Sequence, residues 1–325
     1  MQFFSNIHIP ELQPAITYND AVMLTGSCFT EHIGNHLKNV KFQVLQNPNG
    51  ILFDPISVCN SLVSYVDNKK YTEADLFYLN EAWHSWNHHS RFSGTNKEDT
   101  LAQINASQQA AHTFLKNTKW LIITLGSAFS YRLTENNYPV ANCHKAPTQT
   151  FQKHLCTIEE IISAFDLTIF RLFQFNPDLR ILFTISPVRH LRDGVVENNR
   201  SKARLIEAVH HLVNKFDKLY YFPAYELVID VLRDYRFYDA DLAHPNYAAT
   251  TFVLENFSEK CMDKETQEWA EKFRKLTIAK NHRPFNAQSV QHKKFLHNHF
   301  IQTREYSERF PHLDFSDELN YFAAH

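Results

Sequence analysis

Five short apolar runs, each followed by a stretch with helical periodicity, constrain this chain more than any other feature. The runs are residues 21–25, 40–45, 120–125, 180–185 and 219–222. Strands alternating with helices form a parallel sheet covered on both faces, so the expected fold is α/β with five parallel strands. The helical segments carry their own signals. In 29–38 the residues Phe29, Ile33 and Leu37 recur on one face. Asp54 caps a helix with Pro55 at its first position, running through residue 66. Thr157 and Glu160 form a capping box ahead of Ile161, Phe165, Ile169 and Leu172. Further helices are expected at 97–117, 201–216 and 247–262, with one more ending near 234. Residues 68–96, rich in Tyr, Trp and His, read as an insertion that covers something. The expected organisation is a main domain, 1–262, followed by a polar helical extension, 263–325.

In an open parallel sheet, ligands bind beyond the carboxyl ends of the strands, where helix N-termini also point. The chain has six glycines, and Gly26, Gly50 and Gly126 end or follow the apolar runs. Ser27 and Cys28 compete for the role of nucleophile at the entrance to the first helix. Free N–H groups and the helix dipole favour an anion there, which activates a thiol more than a hydroxyl. The alternative for this pair is a buried structural cysteine behind a serine N-cap.

After the fifth run come Asp241 and His244, followed by Pro245. On one short loop the carboxylate reaches Nδ1 of the imidazole and leaves Nε2 as general base. Asp239 is the other possible orienting group. Candidate oxyanion donors are the backbone N–H groups of Cys28 and Gly50, flanked by Asn49, with Gly126 and Ser127 at the third strand's end. Asn142 offers a side-chain amide, or else is a turn residue.

His84 and His88 have the spacing of a helical metal chelate, but their neighbours read as loop or strand and no acidic third ligand is evident. Substrate contact from Trp83 and His88 is the expectation, and no metal. Arg189, His190, Arg192 and Asp193 read as a solvated charged loop near the same mouth. The chain shows neither a P-loop nor a dinucleotide glycine fingerprint, so no cofactor is expected.

Composition narrows the partners. With 325 residues and a net charge of −2, the chain has no electrostatic footprint for nucleic acid or an anionic membrane. Its five cysteines are odd in number and irregularly spaced, which suits free thiols and a reducing compartment. The first residues lack a secretory signature, and no apolar run is long enough to span a bilayer. A soluble cytoplasmic protein is expected, and nothing in the sequence signals a particular oligomeric state.

Taken together, Gly26-Ser27-Cys28-Phe29-Thr30, Asn142-Cys143-His144-Lys145, Ser186-Pro187-Val188-Arg189-His190, Phe222-Pro223-Ala224-Tyr225-Glu226 and Asp234-Tyr235-Arg236-Phe237-Tyr238 resemble the motifs of the bacterial GSCFA family, within the SGNH/GDSL hydrolase-like superfamily. The resemblance covers roughly residues 1–260. It implies a flavodoxin-like three-layer α/β/α domain with ester hydrolase or acyltransferase ancestry; some relatives are associated with polysaccharide acylation. In that register Cys28 takes the nucleophile position, Ser27 is its neighbour, Gly50 fits the second block, and Asp241 with His244 fit the last. Gly126-Ser127-Ala128-Phe129 lacks the asparagine that completes the third block. The expected function is acyl transfer by a Cys/Ser-His-Asp site on a small-molecule or carbohydrate ester. The competing expectation is a binding module for an acylated or carbohydrate ligand.

Overall fold

The computed structural model describes residues 5–323. In chain order the elements are β1 (Val22–Gly26), α1 (Phe29–Asn39), β2 (Val44–Gln46), α2 (Pro55–Asp67), the hairpin β3 (Phe77–Leu79) and β4 (Ala82–His84), α3 (Lys97–Lys116) and β5 (Trp120–Leu125). Then come β6 (Phe129–Leu133), β7 (Pro139–Val140), β8 (Phe151–Leu155), α4 (Ile158–Phe175), β9 (Arg180–Ile185), α5 (Val195–Lys215) and β10 (Leu219–Tyr221). The chain ends in α6 (Ala224–Glu226), α7 (Tyr247–Cys261), α8 (Lys264–Asn281), α9 (Val290–Arg309) and α10 (Ser316–Ala323).

The main sheet has the order β10-β9-β5-β1-β2, with every pairing parallel. This is the flavodoxin-like doubly wound order, in which the chain reverses direction across the sheet between β1 and β5. Successive strand residues serve opposite faces, as the pleat requires. Val22, Leu24, Trp120, Ile122 and Leu182 pack with Phe29, Ile33 and Leu37 of α1 and with Val253 and Phe257 of α7. Met23, Leu121, Ile123, Ile181 and Phe183 pack instead against α2, α3, α4 and α5 through Leu62, Leu115, Phe165 and Leu205. Three layers result.

The C-terminal helices join the first of these cores. Trp269, Phe273, Leu296, Phe315 and Phe322 are all buried in it. Glu318 of α10, nearly fully buried, pairs with Lys41 and with Lys280. Among the described residues, no helix is long and apolar enough to cross a membrane.

Three expectations need correction. The second strand is shorter than 40–45 because Lys41 adopts φ 71° and turns the chain as α1 ends. The helix expected from 201 begins at Val195, directly after Gly194 at φ 89°. The helix expected to end near 234 is a single turn, α6, continuing as a π-helical stretch Leu227–Leu232 that stops at Arg233 with φ 47°. The sequence reading also left 129–155 without structure; there β7, β6 and β8 form a separate antiparallel sheet.

Candidate active site

At the end of β1 the backbone of Gly26 has φ 139°, and a Cβ there would lie 2.1 Å from the Thr124 carbonyl oxygen. Only glycine lets the two backbones approach so closely. The Ser27 N–H donates to that same carbonyl at 3.0 Å, and Asn47 Oδ1 accepts from the Gly26 N–H at 3.0 Å. The chain therefore turns sharply off the sheet edge into α1, with Cys28 at the helix entrance (φ −56°, ψ −28°). No side chain caps this terminus. The N–H groups of Phe29 and Cys28 are directed at the Cys28 sulfur and favour its thiolate, but burial is the larger influence and raises the thiol's pKa. Glu31 raises it further and Lys202 lowers it. Cys28 remains partly exposed, whereas the Ser27 hydroxyl is fully buried and has no hydrogen-bond partner among the described residues.

Asp241 and His244 meet as the loop spacing requires. Asp241 Oδ2 accepts from His244 Nδ1 at 2.6 Å, while Oδ1 accepts the backbone N–H groups of Ala243 (2.9 Å) and His244 (3.0 Å). The His244 N–H and ring, with the Ala243 N–H, hold Asp241 down at about 2. With Nδ1 as donor to a carboxylate, Nε2 of the neutral ring is the free base. This loop is tied to the end of β9 by the Arg189 N–H, which donates to the Ala243 carbonyl at 3.0 Å. A charge on His244 bears on both His32 and His190. His32 lies one helical turn beyond Cys28 on α1. Among the described residues, Asp241 and His244 bond to each other, and no hydrogen bond joins Cys28 Sγ to His244.

Two further residues belong to this corner. A Cβ on Gly126 would meet Ser27 Cβ at 3.1 Å, His190 Nε2 at 3.2 Å and Phe53 at 3.2 Å. The charged-loop reading of His190 was therefore incomplete. Its Nε2 is buried without a partner beside Ser27, and burial lowers its pKa to about 4, which keeps the ring neutral. Beneath Gly126 lies Lys202 of α5, 1% exposed, whose Nζ donates to the carbonyls of Gly126 and Ser186 at 2.6 Å each. Its signal was present in the sequence, since Lys202 shares the buried stripe of Leu205, Val209 and Leu212.

Several expected site residues have other work. Gly50 has φ 81°, and a Cβ there would strike His89 at 2.2 Å, but its N–H donates to Asn47 O at 2.7 Å and is no free oxyanion donor. Asn49 is a strut: its N–H donates to the Tyr65 hydroxyl and its side chain to the Asn87 carbonyl. Ser127 Oγ accepts the Phe129 N–H and contacts Ser201 Oγ. Asn142 Oδ1 accepts the His144 N–H, the turn role.

Trp83 and His88 do not reach the corner. The Trp83 backbone pairs with Gly94, and its ring lies under the Lys97 ammonium. His88 is buried between Tyr71 and Phe92 with Nδ1 on Ser85 Oγ, and burial lowers its pKa to about 3. Both ring nitrogens of His84 are occupied, by Ser93 Oγ and Leu79 O, whereas His88 Nε2 is buried with no hydrogen-bond partner among the described residues. The insertion instead borders a polar cavity of about 250 Å³, lined by Asn49, Ser57, Asn60, Tyr71, Asn87 and Tyr138 among others.

The profile of the GSCFA family matches residues 21–257, and that of the C-terminal domain of GSCFA domain proteins matches residues 273–325. No curated protein matches the chain. Among solved structures, an acetyl xylan esterase (Est2A) from the rumen bacterium Butyrivibrio proteoclasticus is similar at 11% identity. The match covers 82% of this chain and 67% of that one, with a TM-score of 0.38.

Proposed function

Since the chain belongs to the GSCFA family, we propose that it is an acyl-transfer enzyme, an ester hydrolase or O-acyltransferase, with Cys28 as nucleophile, His244 as base and Asp241 as orienting carboxylate. The observation that carries this reading is the Asp241–His244 pair at 2.6 Å, whose carboxylate is further fixed by two backbone N–H groups. A carboxylate built so firmly into a loop sets one imidazole tautomer, and that is the requirement of a general base.

In the reaction, the Cys28 thiol gives its proton to His244 Nε2 and the sulfur attacks the ester carbonyl carbon. The N–H groups of Cys28 and Phe29 stabilise the resulting oxyanion. Collapse expels the alcohol, which takes the proton from His244 and leaves an acyl thioester on Cys28. Water or an acceptor hydroxyl then resolves it by the reverse sequence. Substrates are small esters, with an acylated carbohydrate as one class. The chemistry is assigned to residues 1–262, with 263–325 as an appended helical unit. Five unpaired thiols suit a reducing, cytoplasmic setting.

The open thiol–imidazole contact and the raised Cys28 thiol favour a second reading, a binding module that does not turn its ligand over. Turnover of p-nitrophenyl acetate separates the two. An enzyme loses about 10³-fold or more in kcat in Cys28→Ala and His244→Ala. A binding module shows the same slow background in all three proteins.

A further inference from the structure

The most unusual charge in the molecule is one that no motif marked. Lys202 is fully enclosed, and among the described residues no carboxylate pairs with it. An ammonium buried without a counter-charge is unfavourable, and replacing one by an apolar side chain is often neutral or stabilising. Its position on the apolar stripe of α5 would suit methionine or leucine. Lys202 instead reaches the carboxyl ends of β5 and β9, where it holds the Gly126 and Ser186 carbonyls. Gly126 carries Ser27 on its other side, and Ser27 precedes the thiol. Among the described residues, the charge of Lys202 bears on Cys28 at the start of α1 and on His190 after β9, and its Nζ lies 5.9 Å from the Tyr225 ring of α6.

We infer that Lys202 is the positioning charge of this site: it pins the two strand ends beneath the helix entrance and stabilises the thiolate of Cys28. This rests on the reading of Cys28 as the reacting group. The two carbonyls alone could be bridged by any neutral donor. A full positive charge is explained by a negative charge that develops nearby, and Cys28 supplies one when its thiol ionises in the reaction. Burial lowers the Lys202 amine to about 7, even with the Cys28 sulfur acting to raise it. The same coupling must lower the thiol's pKa, because linkage between two sites is reciprocal.

The test is the pH dependence of Cys28 alkylation by iodoacetamide in the full chain, with the adduct located by peptide mass spectrometry to separate it from Cys143. Lys202→Met removes charge and pin, and Lys202→Gln keeps a donor for the carbonyls without the charge. In both, the thiol pKa should rise by about one unit, and alkylation near pH 7 should slow about tenfold. An unchanged thiol pKa in either variant, if folded, overturns the inference. Should both variants fail to fold, Cys28→Ser decides. By ¹³C-lysine NMR the Lys202 amine should titrate at lower pH than in the wild type, and identical titrations overturn the coupling. Ester turnover keeps the two claims apart. A chain that turns over no ester yet shows the thiol shift retains the inference and loses the acyl-transfer reading; His244-dependent turnover without the shift does the reverse.

Discussion

At residue scale, the site depends on how few groups are left to do each task. Asp241 has both oxygens committed, so its removal costs tautomer control more than charge. Asp241→Asn should lower kcat for p-nitrophenyl acetate by about 10⁴-fold with little change in KM, measured at saturating ester. The folded carboxylate sits near 2, below its usual value near 3.9, so whatever stability it contributes is present above the unfolded value and fades as pH falls toward 2. Asp241 is therefore ionised throughout pH 4–9, and the acid limb of the pH–rate profile must come from another group.

Lys202 has the opposite consequence. Its folded pKa lies below its unfolded one, so below about pH 7 the folded chain bears a desolvated charge, and this burden lifts as pH rises from 7 toward 10. Lys202→Met should raise Tm most at pH 5–6 and progressively less toward pH 10, followed by circular dichroism. Part of this was legible in the sequence. Asp241 and His244 are close in the chain and sit where a loop must be. The contribution of His190 is visible only once β5, β9 and α1 meet, because its partners come from three separate stretches.

At element scale, the helix caps are legible because they act within a few residues. The Asp54 and Thr157 caps are formed as their sequences imply, with Asp54 accepting the Ser57 N–H and Thr157 the Glu160 N–H. Thr157→Ala should destabilise by about 1 kcal/mol in urea unfolding and leave ester turnover unchanged. The β6–β8 sheet escaped because its residues are mostly half-exposed and give no apolar run. The oxyanion role expected of Gly50 failed for a local reason: the turn after Asn47 closes on the Gly50 N–H itself. Gly26 is the stricter position. Gly26→Ala combines a φ of 139° with a collision against the Thr124 carbonyl, so a loss of about 3 kcal/mol or more is expected, together with altered alkylation kinetics at Cys28.

For the whole molecule, one topological fact sets both fold and site. In this topology ligands bind beyond the strand ends where the order reverses; Cys28 and Gly126 stand at the ends of β1 and β5, His190 lies beside Gly126, and Arg189 N–H ties its loop to the Asp241–His244 loop. The alternation of strands and helices already implied the layers, but an unaligned sequence cannot state which strands are neighbours. The docking of α8–α10 was equally hidden, because their apolar residues are spread among many charged ones. Since Trp269, Phe273 and Phe322 share the core of α1, a chain cut after residue 262 should lose cooperative unfolding and expose apolar surface to dye.

The proposed chemistry turns on whether a thiol, an imidazole and a carboxylate act as one relay, and the most direct measurement is the covalent intermediate. After brief exposure to p-nitrophenyl acetate and acid quench, peptide mass spectrometry should find one acetyl group on Cys28, formed about 10³-fold more slowly in His244→Ala. Acetylation of other residues in place of Cys28, or equal rates with and without the His244 ring, would contradict it.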